Sequence, residues 1–396
     1  MRRVYCDANA TTPLAAEVME AMRPYWTEQF GNASSIHLAG QQARKAVDGA
    51  RETLARFFHC REAEVVFNSG GTEGDNTAIF GLLRQGDHLI TTSIEHSAVL
   101  RAAERVAERG VERGVEVTLV APRANGLIDP EEIRRAIKPE TRLGDSRRTL
   151  VSVMLANNET GVLEPVEEIG KIAEKAAAYF HIDAVQGAGK VNFDVRRFGC
   201  HLCSISAHKM HGPKGVGAMY VRRGTPLEPL VVGGSHERRQ RAGTENVPGI
   251  VGLGKAVELA MARVEDGTNE RVALLRDRLE AGIKRIAGTK VNGAGAPRVA
   301  NTTNIRFEQV EGEALVIALD LKGVAVSGGS ACHSGSTEPS HVLMAMGLDK
   351  NAARASLRFS LLRTATEEDV DYVLRVVPEA VDRVRALAPE VAGTRG

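Results

Sequence analysis

The stretch SISAHKMHGPKGVG, Ser204 to Gly217, decides how this chain is read. The apolar run Leu202 to Ile205 has the composition of a buried strand and delivers Ser206, His208 and Lys209 into a loop. Gly212, Pro213 and Gly215 then turn the chain, and a second strand-like run follows from Val216 to Val221. A lysine in a basic loop is ordinarily a solvated surface group. Where a strand ends inside an α/β domain it has another use, because desolvation lowers its pKa and the neutral amine forms Schiff bases. Asp183, at the end of another strand-like run from Tyr179 to Ile182, supplies the other half of the argument. A carboxylate and a lysine at two such strand ends suit pyridoxal phosphate, the carboxylate pairing the ring nitrogen and the amine taking the aldehyde carbon.

The bulk numbers bound the rest. A chain of 396 residues, 43% of them apolar, builds one large domain with a smaller appendage. A net charge of +1 provides no field for nucleic acid or an anionic membrane. Five cysteines, an odd number, point to a reducing compartment. The opening MRRVYCDANATT lacks the apolar core of a secretory leader, and no stretch approaches the roughly 18 apolar residues of a membrane span. A soluble, cytoplasmic protein without nucleic-acid or membrane partners is expected. The charged, Gly-containing patch ERGVERG, Glu108 to Gly114, is the one unusual composition.

Further strand ends carry polar residues. DANATTP (Asp7 to Pro13) reads as a loop and cap before an amphipathic helix, Leu14 to Tyr25, with Ala10, Thr11 and Thr12 near the N-cap. A polar loop, Gly31 to His37, precedes a helical pattern from Ala39 to Phe57. SGGTEGDN (Ser69 to Asn76) follows the strand-like Glu64 to Phe67 and opens a helix over Asn76 to Leu83. The backbone N–H groups of Gly70, Gly71 and Thr72, with the Thr72 hydroxyl, form an anion cradle there. Neither a dinucleotide fingerprint nor a nucleotide P-loop is present, so a single phosphate fits best. HLITTSIEHSAVL (His88 to Leu100) places Glu95 and His96 at a strand end, where an imidazole can stack on a cofactor ring and carry protons near neutral pH. VSVMLANNETG (Val151 to Gly161) ends in Asn157, Asn158, Glu159 and Thr160, and YFHIDAVQGAGK (Tyr179 to Lys190) adds Gln186. Five strand ends of this kind line one crevice of an open α/β sheet.

Cys332 lies in SGGSACHSGSTEPS, Ser327 to Ser340, a Gly, Ser and Thr run that buries little and reads as a mobile functional loop. A cysteine with access to solvent in such a loop is placed to react. Cys200 and Cys203 form a CxxC without a second pair at zinc-site spacing, so they are expected in the core and no metal site is expected.

Taken together and in this order, SGGTEGDN, IEHSAVL, NNETG, HIDAVQ, SAHKMHGPKG, GGSHERRQRAGTEN and SGGSACHSGSTEPSHVL closely resemble the cysteine desulfurases of the NifS and IscS type. Those are pyridoxal-phosphate enzymes of the aminotransferase class V group, and the resemblance runs from about Tyr5 to about Thr366. It implies an α/β protein of fold type I. A large doubly wound domain with a mainly parallel sheet would occupy residues 14–260. A smaller α+β domain would combine 1–13 with 261–396 and carry the cysteine loop, 327–340.

The resemblance also assigns roles. Lys209 would carry the cofactor, Asp183 would pair its ring nitrogen, Gln186 would donate to its ring oxygen and His96 would stack on its face. Gly71, Thr72, Ser206 and His208 would hold the phosphate, helped by Thr244 of the second subunit of a homodimer. Asn158 and Arg358 would grip the carboxylate of L-cysteine, and Cys332 would accept the sulfur as a persulfide. His96, or less favourably His333, would take the thiol proton, and the sulfur would pass to an acceptor such as an iron–sulfur scaffold protein. Cys6 and Cys60 stand where the family tolerates apolar residues and would be inert. Other readings are a selenocysteine lyase or another pyridoxal-phosphate C–S lyase, and a non-catalytic sulfur-assembly scaffold. Three features depart from the pattern: Gly71 where alanine is commoner, His333 where a small residue is usual, and extra polar residues in Leu143 to Met154.

Overall fold

Short apolar runs bounded by glycine and polar turns become the strands of a seven-stranded, a four-stranded and a two-stranded sheet. The computed structural model describes residues 2–108, 114–139, 147–328 and 338–387. In chain order the strands are β1 (Val4–Tyr5), β2 (Val65–Asn68), β3 (His88–Thr92), β4 (Glu116–Val120), β5 (Thr149–Met154), β6 (Tyr179–Asp183), β7 (Leu202–Ser206), β8 (Gly217–Val221), β9 (Thr289–Asn292), β10 (Thr302–Phe307), β11 (Val324–Ala325), β12 (Ser327–Gly328) and β13 (Ser356–Ser360).

The larger sheet has the order β2-β8-β7-β6-β5-β3-β4. Strands β4, β3, β5, β6 and β7 pair in parallel, and β8 runs antiparallel to both β7 and β2. Strand side chains alternate between faces, which sorts this sheet's apolar residues into two cores. Val65, Phe67, Ile90, Val151, Phe180 and Ile182 face one way, with the helices Leu38–Phe58 and Val247–Glu265. Val66, Leu89, Leu150 and Tyr179 face the other way, with Gly71–Leu82 and Ser97–Glu108. The helix Leu38–Phe58 shows the local logic. Ala43, Val47, Ala50 and Leu54 recur every three or four residues and are buried. His37 caps its start and left-handed His59 (φ 57°) ends it. Leu54 is fully buried, so Leu54→Ala would cost about 2–5 kcal/mol.

The second sheet, β12-β13-β10-β9, is antiparallel. Ile305, Phe307, Leu357 and Phe359 build a separate core with the helices Thr268–Ile283 and Glu367–Leu387. Val4 and Cys6 belong to this second core, and β1 pairs in parallel with β11.

Two helices differ from the sequence expectation. The helix expected over Leu14 to Tyr25 is split into Ala16–Met22 and Pro24–Thr27, because Pro24 has no N–H to continue the ladder. The helix expected from Asn76 begins at Gly71, where Gly74 N–H donates to the Gly70 carbonyl at 3.1 Å and closes the first turn. Gly70 enters that turn at φ 142°, a conformation that favours glycine. Among the described residues no helix is long and apolar enough to cross a membrane.

Candidate active site

At the carboxyl ends of β2, β5, β6 and β7 lies a cavity of about 280 Å³, where an open α/β sheet is expected to hold its ligand. Ten of the twelve site residues expected from sequence line it: Gly71, Thr72, His96, Asn158, Asp183, Gln186, Ser206, His208, Lys209 and Arg358. Thr244 does not line its own chain's cavity. It is exposed, between Arg241, which donates to Glu73 at 2.9 Å, and Glu245, which accepts from Arg44 at 2.6 Å. Cys332 and His333 lie outside the described residues, as do 109–113 of the charged patch and 143–146.

Strand β7 ends at Ser206, and the tight turn Ala207–Lys209 lifts Lys209 to the cavity. Its Nζ donates to the backbone carbonyls of Asn9 at 2.7 Å and Ala10 at 2.8 Å. These partners come from DANATTP, which does not act as a helix cap: the helix Ala16–Met22 has no side-chain cap. Thr12 instead donates through N–H and Oγ1 to the His208 carbonyl at 3.0 and 2.9 Å, and its Oγ1 accepts from His211 N–H at 2.8 Å. Thr11 Oγ1 sits 3.1 Å from His208 Nδ1. The segment braces the lysine turn from above.

Asp183 ends β6, buried, with Oδ1 accepting Val185 N–H at 2.9 Å. Burial pushes its carboxyl up, while His96 and Lys209 oppose the shift. Asp75, also buried, lies close enough to add to the load: burial and then Asp183 push its carboxyl well above the ordinary range. Asp75 Oδ1 has no hydrogen-bond partner. A cavity floor with two desolvated carboxyl groups is matched to a cationic ring nitrogen. At the other end, the first turn of Gly71–Leu82 offers N–H groups beside Ser206 and His208. Burial, with Lys209 and Lys214, pushes the His208 imidazole down to about 4, so it is neutral at neutral pH. His96 Nδ1 accepts Ala98 N–H at 3.1 Å, which leaves the proton of the neutral ring on Nε2.

Arg358 reaches in from β13 of the second sheet, only 2% exposed. Its Nη2 donates to Asp7 Oδ1 at 2.7 Å and its Nη1 to the Asn158 carbonyl at 2.9 Å, while its Nε is buried without a hydrogen-bond partner. An incoming carboxylate would meet a guanidinium already oriented by two bonds. Glu95, Asn157 and Thr160 shape the loops without lining the cavity. Glu95 Oε1 accepts from Thr92 Oγ1 at 2.7 Å and Met154 N–H at 3.1 Å, and Asn157 Oδ1 accepts the N–H groups of Glu159 and Thr160. The cavity residues missed from sequence are Asn9, Ala10, Asp75, Met154, Ala156 and Val185, together with Asp7 behind Arg358. Polar residues among the small ones of DANATTP were the available signal. Cys6, Cys200 and Cys203 are buried, and burial pushes the Cys6 and Cys60 thiols up to about 12, which keeps them protonated at neutral pH.

The sequence profile described as Aminotransferase class-V matches residues 4–373. The chain belongs to this class-V family. Among its relatives, the cysteine desulfurase IscS of Methanosarcina thermophila is 47% identical over 392 residues, 98% of this chain and 94% of that protein. The cysteine desulfurase IscS of Anaeromyxobacter sp. (strain K) is 48% identical over 396 residues, again 98% and 94% of the two chains. A solved NifS-like protein superposes with a TM-score of 0.87 at 35% identity, covering 96% of this chain and all of that one. The structure titled SspA in complex with cysteine superposes with a TM-score of 0.78 at 35% identity, covering 90% of this chain and 98% of that one. The fold is fold type I of the pyridoxal-phosphate enzymes, and pyridoxal phosphate is the class-V cofactor. The residues present fit it: a helix start for a phosphate, the desolvated Asp183 for the ring nitrogen, and Lys209 near both.

Proposed function

We propose that this chain is a pyridoxal-phosphate-dependent cysteine desulfurase, which converts L-cysteine to L-alanine and leaves the sulfur on Cys332 as a persulfide. The observation that carries the reading is the convergence of Asp183, Lys209, the Gly71 helix start and Arg358 on one cavity. Gly71, Thr72, Ser206 and His208 would hold the phosphate, Asp183 would pair the ring nitrogen, Gln186 would donate to the ring oxygen and His96 would stack on the ring. When bound, pyridoxal phosphate supplies the electron sink for bond breaking at the substrate carbon. Arg358 and Asn158 orient the substrate carboxylate, and Lys209, as the neutral amine, moves the proton at the substrate Cα. His96 would take the Cys332 thiol proton on Nδ1, giving up the bond it accepts from Ala98 N–H. Cys332 then attacks the substrate sulfur: the C–S bond breaks, an S–S bond forms, and the carbon fragment gains a proton to become the methyl group of alanine.

The reading extends to a homodimer in which Thr244 of one subunit completes the phosphate site of the other. Exposed Trp26, Phe30, Ile36 and Leu38 support it, being large apolar side chains on the segment that leads into the helix whose Arg44 binds Glu245. A division into residues 14–260 and a smaller unit of 1–13 with 261–396 is supported by the separate core around Ile305, Phe307, Leu357 and Phe359, although Val342, Leu343, Met346 and Ala353 pack into the core of the larger unit. L-Cysteine as substrate is supported by the cysteine complex among the structural neighbours. An iron–sulfur scaffold as sulfur acceptor rests on the IscS relatives. A cytoplasmic location rests on four cysteines kept as free thiols.

The test incubates the purified protein with L-cysteine and a thiol reductant and measures sulfide and alanine together, for wild type and Cys332→Ala. Equal release of both, lost in the variant, is expected. Pyruvate and ammonia in place of alanine, or activity that survives in Cys332→Ala, overturns the reading.

A further inference from the structure

Lys190 is a half-buried basic residue that the proposed reaction does not use. Among the described residues it has no ion-pair partner; its Nζ donates to two neutral oxygens, Gln186 Oε1 at 3.0 Å and Asn9 Oδ1 at 3.1 Å. Gln186 Nε2 donates in turn to the Asn9 carbonyl at 2.9 Å, the oxygen that also accepts Lys209 Nζ at 2.7 Å. Asn301 Nδ2 secures Asn9 Oδ1 with a further bond at 3.1 Å. Asn9 therefore ties the two lysines and Gln186 into one network.

A carboxamide is nearly symmetric in shape and wholly asymmetric in chemistry. Turning the Gln186 amide by half a revolution would set its N–H groups against the Lys190 donors and its oxygen against the Asn9 carbonyl. Both contacts would be repulsive, and in a desolvated site an unmade hydrogen bond is costly. Lys190 donates as amine or ammonium, so the constraint holds in either form. Gln186 lines the active-site cavity, whereas Lys190 stands behind it and lines a second cavity of about 60 Å³.

We propose that Lys190 is a positioning residue of the active site: by holding Gln186 Oε1 it keeps an N–H of Gln186 facing the ring oxygen of the cofactor. This rests on the reading of the cavity as the pyridoxal-phosphate site. Charge acts in the same direction. The titratable groups around Lys190 are Lys209 and Arg358 on one side and His211, Arg263 and Arg363 across the second cavity, all of them basic. Burial, with Lys209 and Arg358, pushes the Lys190 amine down to about 7. Any charge it keeps disfavours protonation of its neighbours.

The test follows the visible absorption band of the bound cofactor in purified holoenzyme as pH is raised, for wild type, Lys190→Met and Lys190→Arg. In Lys190→Met the midpoint is expected to rise by about one pH unit, a tenfold gain in proton affinity. In Lys190→Arg it returns toward wild type, the second cavity giving the guanidinium room. With cysteine, kcat falls in Lys190→Met while KM changes little. A Lys190→Met midpoint equal to wild type overturns the proposal and leaves the site reading standing. A wild type that takes up no pyridoxal phosphate overturns the site reading itself. Should Lys190→Met fail to hold the cofactor, Lys190→Ala decides, since it also removes the donor to Gln186 Oε1 but with a smaller side chain: a raised midpoint supports the proposal and an unchanged one overturns it.

Discussion

Gly71 and Val185 form a matched pair whose coupling can be measured. A Cβ on Gly71 would sit 2.5 Å from Val185 Cγ2, against about 3.5–4.0 Å for an ordinary carbon contact. Val185 is β-branched and stiff at χ1, so it cannot swing aside cheaply. Gly71→Ala thus forces an overlap of about 1 Å, and overpacking of this kind costs roughly 1–3 kcal/mol. Gly71 opens the helix proposed to cradle the phosphate and Val185 lines the same cavity, so the strain falls on cofactor binding. At about 1.4 kcal/mol per tenfold, Gly71→Ala weakens pyridoxal phosphate by roughly tenfold to a hundredfold. Val185→Ala alone has a small effect, and the double variant recovers to within about threefold of wild type, a coupling of at least about 1 kcal/mol. The assay is titration of cofactor into apoprotein for all four proteins. Additive effects of the two substitutions would refute the steric argument.

Three further predictions follow from the site. Asp7→Asn leaves the Arg358 guanidinium buried without its counter-ion and lowers the stability of the substrate-free protein by on the order of 3 kcal/mol. The product L-alanine, whose carboxylate then supplies the missing charge, binds several-fold more tightly; calorimetry showing weaker binding would sink this account. Glu164 is buried, with Oε1 lacking a hydrogen-bond partner, and burial pushes its carboxyl up to about 8. The folded state therefore holds a proton that the unfolded chain releases near pH 4.3, and this contribution to stability is lost as pH rises from about 4.3 through about 8. Glu164→Gln, which can keep the bond from Ile128 N–H, should match wild type at about pH 4 and exceed it at about pH 8 by on the order of a few kcal/mol. A stability difference that does not vary with pH contradicts the assignment. Lys209→Ala should form no alanine and lack the wild-type visible band; turnover at the wild-type rate would remove Lys209 from its role.

What the sequence made legible is what local chemistry encodes. Strands β6 and β7 are short, mostly apolar runs that end in Asp183 and Ser206, so their ends and the convergence of those ends on one crevice are legible in the sequence. The pattern Ala39 to Phe57 falls within one residue at each end of the observed helix, because its buried positions repeat at helical spacing. DANATTP was misread because its partners, His208 and Lys209, lie about 200 residues away and no periodicity records them. Asp75 resembles an ordinary polar residue of an amphipathic helix, and only the packing of that helix on the sheet buries it. Lys190 is hidden for a similar reason: a lysine after a glycine turn gives no sign that its amine reaches Gln186 and Asn9.

The bracing of Lys209 has a kinetic consequence. The backbone of Ala8 and the side chain of Asp7 are held by Ser360 and Arg358, and Asn9 N–H donates to Ser360 Oγ across a separation of 351 residues. Closing a loop of that length costs on the order of 5 kcal/mol in chain entropy, so it forms only after both sheets exist to reward it. Refolding should therefore separate in time. Far-ultraviolet signals of helix and sheet recover first, and capture of pyridoxal phosphate lags behind, marking the moment at which residues 7–10 dock.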